Sequence, residues 1–446
     1  MYDGVISMSK AKKLLLLFGD IVSLYASLAL TLVIRYQEGF SHAWKGHVVP
    51  FSVIFLIWLF IFYVTDLYRQ QTLRNTADLL KKVAGATIVS AALSMAAFYI
   101  FFSFFELTPK TNLLIFTGVF LCLSYGLRFF MLKAFTGTAI RVVFVGSSPL
   151  LRETVFYLKN NPHAGYAVAR WIDLPSDGAE EIAEAVEKER AELIVIQEEH
   201  VKDLNLFPVL YQLLSSNTGF MNFLDFYETV FEKVPVSEVE KYWLIENIPS
   251  RLPTYDIAQR ALDFLAALFL IIILSPIGIL VSFLILVTSG FPVIYSQKRI
   301  GKNDILFTIY KFRTMGKDAE KNGPLYAQTN DPRLTHLGKV LRHTHLDEIP
   351  QLINIIKSDI AFVGPRPERP NFVEQFKTSI PYYNIRHLVK PGLTGWAQIN
   401  YRYTNESVEE TKEKLSYDVF YIKHRSIALN ILIILKTLRR IFISAK

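Results

Sequence analysis

Two carboxylates stand side by side, Asp347 and Glu348, in the stretch RHTHLDEIPQLINIIK that runs from Arg342 to Lys357. Adjacent acids can hold a divalent metal, or one can attack an electrophile while the other steadies it. The local pattern also has a plain structural reading. Pro350 is tolerated in a first helical turn, and Leu352, Ile353, Ile355 and Ile356 follow at helical spacing. Asp347 is therefore expected to cap a helix, with Glu348 in its first turn, where N–H groups favour negative charge. An acidic cap needs no chemistry, so the surroundings must decide. Cationic side chains recur in aromatic and proline-bounded islands: Arg299, Lys311, Arg313, Arg333, Arg342, Arg366 and Arg369. Guanidinium forks and lysine point charges suit phosphate oxygens. A phosphorylated substrate is the expectation. His343 and His345 alternate with Asp347 as they would on one face of a strand. A metal hydrolase would need more ligands than these, and no HExxH motif is present.

The elements that must position these groups begin with a membrane region. The mean hydropathy of +0.28 is too high for an ordinary soluble chain of 446 residues. Four apolar stretches, at about Leu14–Ile34, Val48–Val64, Val83–Phe105 and Leu113–Met131, each have a length that can cross a bilayer. Arg128 weakens the last of them. Asp20, inside the first, is either a functional intramembrane acid or a packing group, and the packing role is favoured. The opening residues lack a cleavage pattern, so the first stretch reads as an anchor. Basic residues Lys10, Lys12, Lys13, Arg69, Arg74, Lys81, Lys82, Lys133 and Arg141 put the N-terminus and everything beyond residue 135 on the cytoplasmic side. The net charge of +8 suits anionic headgroups or phosphorylated substrates, and the reading involves no nucleic acid. Cys122 is the only cysteine, which excludes an intramolecular disulfide framework.

From Ala139 onward strands alternate with helices, which predicts a small parallel α/β sheet. The turn after its first strand, Gly146-Ser147-Ser148-Pro149, carries one glycine where a dinucleotide fingerprint needs several. The domain is expected to be Rossmann-like without binding NAD. A further apolar stretch, about Ala261 to Val287, is interrupted by Ser275-Pro276 and Gly278 and has basic residues at both ends. It is expected to enter one leaflet, bend where Pro276 removes a hydrogen bond, and return. The tail, SIALNILIILKTLRRIFISAK, is too short in its apolar run to cross. It reads equally as an interfacial amphipathic helix or as one packed on the domain before it.

The ordered motifs QKRIG, FTIYKFRTM, DPRLTHLGKVLR, LDEIPQLINI, VGPRPERP, KPGLTGWAQIN and KLSYDVFYIKHRS resemble the bacterial sugar transferases, over Tyr255 to about Leu438. The resemblance is to the long form of the polyprenyl-phosphate sugar-1-phosphate transferases. It implies four transmembrane helices (1–135), a Rossmann-like α/β domain (136–250), a re-entrant membrane helix broken at Ser275 and Pro276 (251–290), and a mostly α cytoplasmic catalytic domain with an amphipathic C-terminal helix (291–446). It also implies Mg2+, a UDP-sugar and undecaprenyl phosphate as substrates, contact with membrane lipids, a homodimer, and downstream glycosyltransferases as partners at a bacterial inner membrane. By the same resemblance Asp347 would attack the sugar-bearing phosphorus and Glu348 would orient it and share the metal. Lys311, Arg313, Arg333, Arg342 and Arg366 would hold phosphates. Asn430 stands where related chains often have Asp. Two rival readings are a membrane-anchored nucleotide-sugar dehydratase, for which the glycine fingerprint and a Tyr-x-x-x-Lys pair are missing, and an inactive assembly scaffold, against which the intact carboxylate pair argues.

Overall fold

The computed structural model describes residues 3–65, 67–68, 76–100, 110–135, 139–161, 164–173, 178–197, 199, 207–213, 218–239, 241–249, 252–316, 319, 331–401 and 407–444. Arg69, Arg74 and residues 101–105, which entered the expectations above, lie outside them, as do Arg251, one of the basic residues before the apolar stretch at 261–287, and the side chains of Lys10, Lys12, Lys13 and Lys133. The chain divides into two compact units, Met1–Val230 and Phe231–Lys446.

The first unit opens with four long helices: α1 (Asp3–Tyr36), α2 (Phe40–Val64), α3 (Thr76–Ile100) and α4 (Lys110–Phe135). Leu14–Tyr63, Leu79–Ile100 and Lys110–Met131 are long and apolar enough to cross a membrane. The helices pack on an aromatic seam in which Phe51, Phe55, Trp58 and Phe62 of α2 meet Phe116 and Phe120 of α4. The two charges that mar the apolar pattern find one another. Arg128 Nη1 and Nη2 donate to Asp20 Oδ1 and Oδ2 at 2.6 and 2.7 Å, and both side chains are fully buried. Ser124 Oγ takes another bond from Arg128 Nη1. An isolated buried charge is costly, whereas the forked pair satisfies both oxygens of Asp20 and both terminal nitrogens of Arg128, leaving only Nε without a partner among the described residues. Asp20 thus has the packing role.

The rest of the first unit is β1 (Ile140–Val145), α5 (Pro149–Asn160), β2 (Tyr166–Ile172), α6 (Gly178–Glu189), β3 (Leu193–Ile196), α7 (Phe207–Leu213), β4 (Gly219–Asn222) and α8 (Phe223–Phe231). The four strands are parallel in the order β2-β1-β3-β4, so the switch of direction falls beyond the ends of β1 and β3. That is where an α/β sheet of this kind usually holds a ligand. Here Gly146, at φ +140°, lies under the side chain of Gln197. Gln197 Oε1 accepts from Ser147 N at 2.7 Å and from Ser148 N at 3.1 Å. The backbone amides that a pyrophosphate would need already bind a side chain.

The second unit contains α9 (Lys241–Asn247), α10 (Pro253–Ser289), β5 (Ile294–Ile300), β6 (Leu306–Phe312), α11 (His336–His343), α12 (Gln351–Lys357), β7 (Ala361–Val363), α13 (Pro370–Ser379), β8 (Gly392–Thr394), α14 (Trp396–Asn400), α15 (Val408–Lys423) and α16 (Ile427–Ser444). Residues 231–249 belong here, although the expected α/β region ran on to 250. Val234 N donates to Ser416 O, and Trp396 Nε1 donates to Glu232 O at 2.9 Å. The domain is helical around two small sheets, the antiparallel hairpin β5–β6 and the parallel pair β7–β8.

Among the described residues, helix α10 has the highest mean hydropathy of the four stretches long and apolar enough to cross a membrane. It stays helical through Ser275 and Pro276, so any bend lies inside one helix, and Ser275 Oγ donates to Ile272 O. Ala267 packs with Phe307, Ile309 and Leu352 on one side of Pro276. Val281 and Ile285 pack with Phe312 and Leu341 on the other. The tail helix α16 buries Ile433 and lays Lys436 over the Trp396 ring, while Arg440 Nη1 donates to Gln398 O at 2.5 Å. These contacts are the ones that the packing reading of the tail expects.

Candidate active site

The site begins with a strand that alternates. Phe307 and Ile309 of β6 are buried on one face, and Lys311 continues that face where the apolar core ends. Its ammonium therefore points into a half-buried position, 2.5 Å from Glu348 Oε1. The free edge of β6 is gripped by Asn354, a fully buried polar residue in the apolar run of α12. Asn354 Oδ1 accepts from Tyr310 N at 3.1 Å, and Nδ2 donates to Thr308 O at 2.7 Å and to Asp359 Oδ2 at 3.0 Å. One amide thus fixes α12 to the strand that carries Lys311.

The carboxylates do not cap α12 as expected. Helix α11, capped by Thr335 Oγ1 on Gly338 N, ends at His343, and His345 turns left-handed at φ +56°. That reversal closes Leu346–Glu348 into a 3₁₀ turn of its own, and Pro350 instead occupies the position before α12. Asp347 is buried, and among the described residues none donates a hydrogen bond to its carboxylate.

The environments of the two acids push them apart. Burial raises the pKa of Asp347, and the Glu348 charge adds to that against the pull of Lys311 and Arg342. Burial would raise Glu348 as well, but Lys311 and then Arg366 outweigh it and bring its pKa down to about 2. Neighbouring acids with divergent proton affinities are suited to different roles.

Lys311, Arg342 and Arg366 thus share the field of the pair. Arg342 is steadied by Nε donating to Thr314 Oγ1 at 3.1 Å. Arg366 is exposed on the loop 364–370, which is held by Arg299 Nη1 on Pro367 O and Arg386 Nη2 on Arg366 O, both at 3.0 Å. The buried Arg386 is itself paired with Asp418 at 2.9 Å. The glycines around this loop are needed for close approach. A Cβ on Gly364 would lie 2.4 Å from Lys390 O, and one on Gly392 would lie 2.0 Å from Gly364 N.

Arg333 and Arg313 hold other partners. Arg333 forks onto the buried Asp331, Nε to Oδ1 at 2.8 Å and Nη2 to Oδ2 at 2.6 Å. Arg313 Nη2 donates to Ser289 O and Gly290 O at 2.5 and 2.7 Å, tying down the end of α10. Its buried Nε and Nη1 have no hydrogen-bond partner among the described residues. Ser275 and Pro276 lie in α10. Asn354, Asp331 and Arg386 were not singled out from the sequence. A lone Asn inside an apolar helix was the available signal for the first.

No cluster of three or more His, Cys, Asp or Glu gathers as a metal cage among the described residues. A magnesium ion needs less, since one or two carboxylates suffice when substrate phosphates and water complete the octahedron. Asp347 and Glu348, with no donor on the Asp347 carboxylate, fit such an ion.

Residues 254–444 match a family model described as bacterial sugar transferase. A UDP-N-acetylgalactosamine-undecaprenyl-phosphate N-acetylgalactosaminephosphotransferase of Aeromonas hydrophila is 40% identical over 214 residues, 48% of this chain and 50% of that protein. A UDP-glucose:undecaprenyl-phosphate glucose-1-phosphate transferase of Escherichia coli is 34% identical over 202 residues, 43% of this chain and 44% of that protein. The chain thus spans about half the length of these two relatives. A protein of the latter name from Caulobacter vibrioides is 35% identical over 185 residues, 41% of this chain and 68% of its own length.

Proposed function

The chain belongs to the bacterial sugar transferase family, and from that premise we propose that it moves a sugar-1-phosphate from a UDP-sugar to undecaprenyl phosphate. The observation that carries the proposal is the divergence of two adjacent carboxylates. Glu348 is held ionised beside Lys311, and Asp347 is buried and more basic than an ordinary carboxylate. A basic carboxylate free of donors is suited to nucleophilic attack. An Asp347 oxygen forms a bond to the sugar-bearing phosphorus, the bond to UMP breaks, and UMP leaves with the electron pair. An oxygen of undecaprenyl phosphate then forms a bond to the same phosphorus, the bond to Asp347 breaks, and the carboxylate is restored.

Lys311, Arg342 and Arg366 steady charge on the transferring group, while Arg313 secures the end of α10. A Mg2+ held by Asp347 and Glu348 would neutralise the diphosphate while the bond to UMP breaks. The 3₁₀ turn and the Asn354 clamp fix the direction of both acids before substrate arrives.

We further infer that α10 enters and leaves the membrane on the cytoplasmic side. Its two halves pack on one polar domain, with Arg260 bonded to Ile355 O and Ile356 O near one end and Arg313 bonded to the other. A helix that crossed would carry one of these attachments away. The dehydratase reading loses support from Gln197, which takes the amides that such a cofactor would use.

Membranes containing the protein, supplied with undecaprenyl phosphate and a panel of UDP-sugars, should release UMP with at least one of them. A labelled phosphosugar should be trapped on the wild-type chain and be missing from Asp347→Asn. Turnover by that variant near the wild-type rate would refute the assignment.

A further inference from the structure

A cavity of about 590 Å³ opens beside the first turns of α10. Arg260, Lys302, Lys390 and Arg425 line it together with the apolar Ile257 and Phe264. Two acids, Asp256 and Asp263, also face it, so four basic groups meet two acidic ones and the balance is positive. Two of the cations are committed. Arg260 gives both Nη1 and Nη2 to the carbonyls of Ile355 and Ile356 at 2.7 Å, and Arg425 lies 3.6 Å from Asp256 while bonding Ile422 O. Lys390 donates to the uncharged Ser358 Oγ, and Lys302 has no side-chain partner among the described residues. Lys302 therefore faces the cavity with no bonded carboxylate among the described residues, and Lys390 feels Asp263 and Asp256 only as acids it shares with Arg260 and Arg425. Burial, and after it Arg260 and Lys302, lower the pKa of Lys390, as expected where like charges crowd.

The surroundings say what kind of anion fits. Tyr255, Asp256, Gln259, Arg260 and Asp263 make the start of α10 polar, and beyond them the helix presents Leu265, Leu268 and Phe269 exposed. The cavity thus lies where a membrane helix passes from headgroup depth to acyl depth. It is not the dyad under another description. Asp347 and Glu348 precede α12, whereas Arg260 grips the far end of that helix, about 10 Å away by helical rise. A phosphate held there cannot reach a nucleophile at Asp347.

We propose that this cavity binds the phosphate of an anionic phospholipid between Lys302 and Lys390, with the acyl chains lying along Ile257, Phe264 and the exposed face of α10. The proposal rests on α10 lying in the membrane and is independent of the transfer chemistry. The lipid phosphate offsets the remaining positive balance of the cavity and secures the end of the helix at one depth.

The test uses the full chain in nanodiscs of phosphatidylcholine containing a minor share of photo-crosslinkable phosphatidylglycerol, with adducts mapped by mass spectrometry. Phosphatidylglycerol should crosslink to the segment from Asp256 to Phe264, and Lys302→Gln with Lys390→Gln should reduce that adduct about tenfold. Lys302→Glu, at a half-exposed position that leaves the Ser358 bond intact, should do the same and guards against misfolding of the double variant. Equal labelling in all three proteins would overturn the proposal. So would suppression of the adduct by inorganic phosphate alone, which would make this a free-phosphate site. Displacement by undecaprenyl phosphate but not by unlabelled phosphatidylglycerol would assign the cavity to the acceptor and equally defeat it. A wild-type chain that gives the lysine-dependent adduct but releases no UMP from any UDP-sugar would strike the proposed reaction and leave the lipid site standing.

Discussion

Lys311→Met should expose the electrostatic coupling that holds Glu348 ionised. Glu348 lies at about 2 against an ordinary value of 4.5. That gap corresponds to about 3 kcal/mol of preference for the ionised form. Lys311, at 2.5 Å with both side chains about one-fifth exposed, is its nearest cation, and Arg366 supplies a smaller share. Removing Lys311 leaves a poorly solvated carboxylate, so the single variant should lose about 2 kcal/mol. Lys311→Met combined with Glu348→Gln should lose less than the two single variants together, giving a coupling of about 1–2 kcal/mol. The sign of the pH dependence follows from the depressed value. The coupling should be complete above about pH 4.5 and fade as pH falls towards 2. Pulse proteolysis in urea, followed on a C-terminal fragment in detergent, reads the second unit separately from the helical bundle. A coupling below about 0.5 kcal/mol at neutral pH would show that the close contact is solvated and that Glu348 is not held ionised by Lys311.

Four further outcomes are expected. Asp347→Asn should unfold at higher urea than wild type while losing phosphosugar formation, because a buried acid with a raised pKa opposes folding in its charged form. By the same shift, wild-type UMP release should fall as the medium is acidified through the Asp347 pKa, with Glu348 still ionised. His387, whose pKa burial and then Arg386 lower to about 4, binds its proton less readily folded than unfolded. The contribution of His387 to the stability of the second unit should therefore fall between pH 6.5 and 4, and the difference between wild type and His387→Gln in the same urea assay should follow that fall, while the raised Asp418 acts in the opposite sense in both proteins. Asn354→Leu keeps the size of the side chain but abandons Tyr310 N and Thr308 O, and should cost about 2–4 kcal/mol in that assay; a neutral result would remove Asn354 from the positioning scheme.

Much of the site could be read from residue types alone. An acidic pair before a proline and a helix is visible in one line of sequence, and so are the arginines around it. The partners they chose could not be read there. Arg333 had an acid two positions away, and its fork closes on Asp331 because that side chain is buried and within reach. Arg313 was adjacent to the motif in number but faces the end of α10, 23 and 24 residues earlier in the chain. The capping expectation failed on one backbone angle, the left-handed His345, for which no glycine gave warning. The parallel sheet followed its strand and helix pattern closely. The filling of its ligand cradle depended on a glutamine fifty positions from the turn it occupies.

The buried pair of Asp20 and Arg128 makes the helical bundle a closed circuit between its first and last members. During synthesis α1 emerges first and must wait, with its acid uncompensated, until α4 arrives bearing the base. Neither helix is a comfortable apolar segment alone, since a buried charge without its partner costs several kcal/mol. Shortened versions of this chain should accordingly be cut before α1 or after α4. A boundary drawn between them strands one ion in hydrocarbon, and the resulting fragment would be a substrate for membrane quality control rather than a smaller copy of the bundle.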